Sequence, residues 1–179
     1  MRTTPSSFPI LFPTLTGALS DPEVRVHLAP IVRQAPVWLP AFLSESIGTI
    51  ENPANIADVL VKSSGLPDDE SYRNLSNALL AQLAGKNKFP AFQQYFLSLK
   101  GSRADTFKAA AFTKDTVGLP YPVVGWQVAD SPAIGGTFSA ANDKGRSTLA
   151  AFASSGERGE LLRKYMFLAP GNYRFASRF

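Results

Sequence analysis

The side chains with the greatest capacity for chemistry are few in this sequence. His27 is the only histidine, and the chain contains no cysteine. Disulfides, thiolate metal sites and cysteine nucleophiles are therefore excluded. His27 falls on a short predicted helix with no carboxylate at ligand spacing, so we interpret it as a structural or surface residue. The sequence predicts no metal site.

Carboxylates could hydrolyse a glycosidic bond if two of them faced each other across about 5–9 Å. The acidic residues have simpler explanations, as first-turn residues of a helix or as turn formers: Asp68, Asp69, Glu70, Asp130, Asp143 and Glu157. No pattern pairs any two of them. The sequence also lacks a serine nucleophile elbow and a phosphate-binding loop. We therefore expect no catalytic residue, no cofactor and no enzymatic activity.

Aromatic side chains are the remaining candidates for ligand binding. An aromatic ring can stack on the apolar face of a sugar, and the possible platforms are Trp126, Tyr121, Trp38 and Tyr173. Of these, Tyr121 and Trp126 are the candidate ligand-binding residues. Tyr121 lies between Pro120 and Pro122 and is expected to be exposed in a loop. Trp126 alternates with polar neighbours, a pattern that also fits a core residue.

The charge pattern excludes nucleic acid as a partner. The formal net charge is +4, with +1 on residues 1–118 and +3 on residues 119–179. The basic residues are spread singly, whereas a nucleic-acid surface usually clusters them. No run of about 18 apolar residues is present, so no membrane span is expected. The expected partners are therefore protein or glycan.

The elements that must position these residues divide the chain into three parts. Residues 1–19 contain three regularly spaced prolines and predict an irregular lead-in. Residues 20–103 predict about five helices, which begin near Asp21, Pro40, Pro53, Asp69 and Pro90. Glycines follow three of these helices, and the short link at residues 85–88 predicts an antiparallel hairpin of the last two.

Residues 104–179 follow a different pattern. Short apolar or alternating runs predict strands at residues 106–112, 123–129, 136–140, 147–153, 161–168 and 172–179. Turn residues separate them, which favours an antiparallel sandwich or barrel. The strongest expected hairpin joins the last two runs. The predicted fold class is α+β, with helical hairpins followed by a β-sandwich-like module.

Residues 161–175 read Leu-Leu-Arg-Lys-Tyr-Met-Phe-Leu-Ala-Pro-Gly-Asn-Tyr-Arg-Phe. This segment resembles the strand–turn–strand of jelly-roll carbohydrate-binding modules, and Phe112 and Trp126 stand at a spacing similar to the one found there. The helical hairpins look like tetratricopeptide-type repeats. The order of helical repeats followed by a jelly-roll module is similar to that of uncharacterised bacterial proteins with this architecture. The resemblance implies a sugar-binding module, although Ala110 and Ala111 replace the usual Asn-Gly.

In the last predicted strand, apolar and polar residues still alternate at Phe179. The expected module is therefore incomplete and exposes an edge strand. We expect self-association through this C-terminal edge. The function expected from the sequence is a non-catalytic binding or scaffolding protein with a helical interaction surface and a carbohydrate-binding-like module. Two alternatives stay open: a fragment of a glycan-active enzyme whose catalytic part lies elsewhere, and a structural component of an assembly.

Overall fold

The computed structural model describes residues 8–108, 119–139, 148–168 and 170–174. The chain divides into two compact units between Arg103 and Ala104. Among these described residues, the first unit contains six α-helices and the second contains short antiparallel strands. The predicted α+β class is confirmed at this level.

The helical unit runs in order through α1 (Phe8–Ala18), α2 (Pro22–Arg33), α3 (Leu39–Thr49), α4 (Ala54–Lys62), α5 (Glu70–Gly85) and α6 (Phe89–Ser98). Two of the helix starts use the aspartates that the sequence indicated. The Asp21 carboxylate accepts a hydrogen bond from the Glu23 amide, and the Asp69 carboxylate accepts one from the Tyr72 amide. Both satisfy amide groups that a helix N-terminus leaves without an intrahelical partner.

The expectation of an irregular lead-in is wrong for its described part, because Phe8–Ala18 is a helix. Pro13 lies at the middle of α1 and removes one main-chain hydrogen bond there. Tertiary packing offsets that loss. Phe12 is 5% exposed and its ring meets that of Phe42 edge-on at 5.6 Å, while Leu19 at the end of the helix is 1% exposed. The spacing of the prolines in the sequence could not reveal Phe42, the distant residue on which Phe12 packs.

The helix ends need residues that tolerate a left-handed backbone. Gly65 follows α4 with a φ of +89° and Gly101 follows α6 with a φ of +78°, as the sequence indicated. The end of α5 differs from the prediction. Gly85 is still helical, and Asn87 takes the left-handed conformation with a φ of 55°.

The helices stack in two layers, because each helix packs on the next but one. One layer contains α1, α3 and α5, the other contains α2, α4 and α6, and α5 and α6 close the stack against each other. The apolar stripes of the helices fill the interior. Side chains exposed by 2% or less include Leu39, Phe42, Leu60, Leu79, Leu80, Leu83, Phe92 and Tyr95.

Two buried polar pairs cross this interior. The Tyr95 hydroxyl donates to the Ser76 hydroxyl at 3.0 Å, and the Ser76 hydroxyl donates to the Tyr72 carbonyl at 2.9 Å. The hydroxyls of Thr16 and Ser46 lie 2.6 Å apart. Each pair joins two helices, and the pairing removes the cost of burying a hydroxyl without a partner.

The described residues of the second unit form four short strands: β1 (Gln127–Val128), β2 (Ile134–Ser139), β3 (Thr148–Ala153) and β4 (Leu162–Arg163). β2 pairs antiparallel with β3 from Ile134↔Ala153 to Ser139↔Thr148. β1 pairs antiparallel with β4, with Gln127 opposite Arg163. The predicted strands at residues 136–140 and 147–153 therefore correspond to β2 and β3.

Other strand predictions are wrong within the described residues. Residues 104–107 form a 3-10 turn instead of the start of a strand, and residues 164–168 and 170–174 contain no strand. The expected hairpin of residues 161–168 with residues 172–179 is absent from its described part. Long-range packing explains the change, because β4 pairs with β1 and the ring of Phe167 meets that of Phe107 at 4.5 Å. Residues 109–118, 140–147, 169 and 175–179, including Phe112, lie outside the described residues.

One basic side chain joins three helices of the first unit. Arg25 on α2 lies 2.7 Å from the Asp58 carboxylate on α4 and donates to the carbonyls of Leu19 and Ser20 just after α1. Lys62 also binds Asp58, at 2.6 Å. Burial by itself would raise the pKa of Asp58, but the hydrogen bonds from Lys62 and Arg25 outweigh it and hold that pKa below its ordinary value.

The substitution Asp58→Asn should lower the free energy of unfolding by about 1 kcal/mol at neutral pH, because it removes charge-assisted hydrogen bonds in a partly buried site. A carboxyl with a lowered pKa in the folded state stabilises above its ordinary pKa of 3.8 and loses that effect as the pH falls through the lowered value. Urea unfolding of both proteins from pH 7 to pH 2 should therefore show curves that converge in acid.

Asp68→Asn is the matched control, since Asp68 also binds two cations, Arg73 and Lys100, but is more exposed. Its effect on stability should be smaller. An Asp58 variant as stable as the wild type at pH 7 would contradict the conclusion that the Arg25–Asp58 ion pair stabilises the packing of these helices.

Candidate functional site

The two predicted ligand-binding aromatics flank a 3-10 turn in the second unit. Pro122–Val124 forms the turn, Tyr121 precedes it and Trp126 follows it. Tyr121 is 6% exposed, so the expectation of an exposed loop residue is wrong. The prolines on either side restrict its backbone, whereas the burial of its side chain depends on tertiary packing. Tyr121 therefore has no open ring face for a ligand.

Trp126 is half-buried, and a lysine lies over its ring. The Lys164 ammonium is 5.8 Å from the ring centroid, within the range of a cation–π interaction. β1 and β4 bring the two residues together, because Trp126 directly precedes β1 and Lys164 directly follows β4. Burial lowers the pKa of Lys164, since a low dielectric disfavours the charged form.

Sequence reasoning identified Trp126 and missed Lys164. The two positions are 38 residues apart, and only the pairing of Gln127 with Arg163 brings them close. The alternation of apolar residues around Lys164 predicts one strand of a local hairpin. A single lysine in such a run carries no signal that it faces a tryptophan.

The other aromatic residues considered in the sequence lie elsewhere. Trp38 packs edge-on against Phe42 at 5.8 Å in the helical unit. Tyr173 is 50% exposed in a segment without regular structure. His27 is exposed on α2.

Several carboxylates of the described residues take part in ion pairs or helix caps. Asp58 and Asp68 each bind two cations, Asp21 and Asp69 cap helices, and Glu160 binds Arg163 at 2.8 Å. Hydrogen bonds from Lys100 and Arg73 hold the pKa of Asp68 below its ordinary value. A general acid needs the opposite, a raised pKa.

Neither metal ligation nor membrane insertion finds support in the part of the chain that the structure describes. Its histidine and acidic residues form no cluster of three or more that could hold a metal ion. None of its helices combines the length and the apolar character that a bilayer crossing requires. Comparison with known proteins gives no match to this chain from a family model, a curated protein or a solved structure.

The lowered pKa of Lys164 leads to a spectroscopic prediction. In a Trp38→Phe background Trp126 is the only tryptophan, and its fluorescence should change as Lys164 loses its proton and the cation leaves the ring. The midpoint of that change should lie below 10.5, the ordinary value for lysine. In Lys164→Met the step should disappear. A step that persists in this variant would assign it to another group, and the cation–π pair would then be ruled out.

Proposed function

We propose that this chain is a non-catalytic scaffolding protein whose helical unit assembles with a second copy of the chain. The observation that carries the proposal is an apolar surface on the two helices that begin the layers. Stacked helical units usually cover their first and last helices with polar side chains, because nothing else shields these outer faces. Here the outer faces of α1 and α2 depart from that rule.

Nine large hydrophobic side chains are exposed in the described residues, and five of them lie between residues 10 and 37. Ile10 is 75% exposed on α1, Val26 is 53% exposed on α2, and Val37 is fully exposed just after α2. Leu11 and Ile31 complete the group. We call these five residues the N-terminal apolar surface. A concentration of exposed apolar residues marks an interaction site more often than scattered ones do.

Charge favours a second copy as the occupant. α1 has the sequence FPILFPTLTGA and contains no charged residue, so two copies of it can approach without repulsion. α2 carries Glu23 in its first turn and Arg33 in its last. An antiparallel α2 pair related by twofold symmetry would place each Glu23 opposite an Arg33, whose guanidinium also donates to the Ser63 carbonyl at 3.2 Å. An anionic lipid surface is less favoured, since α1 lacks the Lys and Arg of interfacial helices.

Absence of catalysis is the other half of the proposal. The described carboxylates with a shifted pKa have it lowered, and both are bound by cations. His27 lies exposed on α2, next to the apolar Val26. This arrangement supports a scaffold better than an enzyme that carries its catalytic groups among the described residues.

The assembly makes a prediction for sedimentation velocity of the full chain. The wild type should shift from monomer to dimer as its concentration rises. Ile10→Glu and Val26→Glu should each raise the dimer dissociation constant at least about tenfold, because each buries a charge in an apolar contact. Glutamate is a good helix former, so the helices themselves should persist.

Leu97→Glu is the matched control, because Leu97 is 43% exposed on α6, outside the N-terminal apolar surface. It should dimerise as the wild type does. A wild type that stays monomeric at every concentration would overturn the proposal. A Leu97 variant as defective as the others would move the interface elsewhere, and dimers unaffected by all three changes would favour the C-terminal strands expected from the sequence.

Carbohydrate binding in the second unit is a second candidate function. Trp126 favours it, because the residue is only half-buried and Lys164 covers its ring without sealing it in a core. A sugar ring could replace the ammonium over the indole, and the ammonium could then donate to a sugar hydroxyl. The jelly-roll resemblance supports this candidate, while the described strands form only two-stranded sheets.

Soluble glucan, xylan and chitin oligosaccharides provide the test of this second candidate. If one of them binds, calorimetry should show binding lost in Trp126→Ala and retained in Trp38→Ala, since Trp38 packs within the helical unit. Equal loss in both variants, or no heat with any of the three, would reject a sugar site at Trp126.

A further inference from the structure

A cavity in the second unit lies beside the strand pair of β2 and β3. Its volume is about 430 Å³, within the roughly 300–1,000 Å³ typical of small-molecule sites. Residues of the two strands and of the loop at residues 154–161, which follows β3, line it. Neither Trp126 nor Lys164 belongs to this lining, so the cavity is separate from the candidate sugar site at Trp126.

The strands give the cavity an apolar floor. Ile134 lies opposite Ala153, and Ala151 comes two residues before Ala153, so the three side chains share one face of the strand pair. Leu161 adds apolar lining from the loop. The methyl groups of Ala151 and Ala153 leave space above them, and both residues are exposed. The floor is therefore apolar surface that a ligand can bury.

The loop that bounds the cavity is held at both ends by main-chain hydrogen bonds. The Ser154 amide donates to the Ala133 carbonyl, and the Ala129 amide donates to the Leu161 carbonyl, both at 2.8 Å. Gly159 packs closely on β2, since a Cβ at this position would lie 2.7 Å from a side-chain carbon of that strand. The wall opposite the floor is therefore anchored backbone.

Two charged residues of the loop line the cavity without a partner of their own. Glu157 and Arg158 are exposed, and neither side chain forms an ion pair or hydrogen bond with any residue that the structure describes. The next charged pair along the loop differs, because Glu160 binds Arg163 at 2.8 Å. A ligand with only a carboxylate would meet the charge of Glu157, and one with only an ammonium group would meet that of Arg158. The lining therefore suits a ligand that carries both charges and an apolar group.

We infer that this cavity binds a free α-amino acid with an apolar side chain. The carboxylate of the amino acid accepts hydrogen bonds from the Arg158 guanidinium, whose N–H groups match two carboxylate oxygens. The ammonium group pairs with the Glu157 carboxylate, and the apolar side chain covers Ala151 and Ala153. This inference depends neither on the proposed assembly nor on sugar binding at Trp126.

Four probes separate these contributions in amide NMR titrations of the full chain at low salt. L-Leucine carries both charges and an apolar side chain, and it should cause saturable shifts at Ala151, Glu157 and Gly159. N-acetyl-L-leucine lacks the ammonium group and L-leucinamide lacks the carboxylate, so each should bind about threefold or more weakly, as expected for the loss of an exposed ion pair. Glycine should bind at least about tenfold more weakly than leucine, because it buries no apolar side chain.

Charge variants assign each charged group of the ligand to its partner. Arg158→Gln should weaken binding of leucine about threefold or more without weakening that of leucinamide, which has no carboxylate. Glu157→Gln should likewise weaken binding of leucine without weakening that of N-acetyl-leucine. Both changes replace exposed side chains, so the fold should persist. Arg174→Gln, on an exposed arginine outside the lining, is the control and should leave all four affinities unchanged.

Ala151→Leu fills the cavity from its floor and should abolish the shifts caused by leucine. Ala150→Leu is the matched control, because Ala150 is also exposed on β3 but lies on the other face of the strand pair, outside the lining. The charge variants decide the question if Ala151→Leu fails to fold. No saturable shift with leucine, equal binding of leucine and N-acetyl-leucine, or binding that survives in a folded Ala151→Leu would each overturn the inference.

Discussion

The Arg25 guanidinium is the interaction on which the helical unit most depends. It binds Asp58 on α4 and the carbonyls of Leu19 and Ser20 at the turn after α1, and its side chain is 14% exposed. One planar group thus links α2 to α4 and to the turn after α1, and it satisfies carbonyls at the end of α1. The position of α1 in turn sets the N-terminal apolar surface.

The two-layer packing bears on where the N-terminal apolar surface lies. Each helix packs on the next but one, and α5 and α6 also pack on each other, whereas no contact of similar extent joins α1 to α2 among the described residues. Hydrophobic side chains exposed on α1 and α2 form a surface that a partner can cover. The proposed assembly with a second copy would cover it by the same kind of packing that holds the helices together.

Basic side chains have different partners in the two units. In the helical unit, Arg25 binds the carbonyls just after α1 and Lys86 binds the carbonyls just after α3. In the second unit, a short strand pair brings Lys164 over Trp126, and burial lowers the pKa of that lysine. Asp21 and Asp69 cap helices, and Asp58 and Asp68 bind cations.

The sequence by itself determined the helices that depend on local signals. Asp21 and Asp69 cap their helices, and Gly65 and Gly101 take left-handed turns, because caps and glycines act over a few residues. Tertiary structure decided the rest. Phe12 makes a helix of a proline-rich lead-in by packing on Phe42, and β4 pairs with β1 instead of with the segment that follows it. Contacts between distant residues outweigh local preference there, and they leave no periodic trace in the sequence.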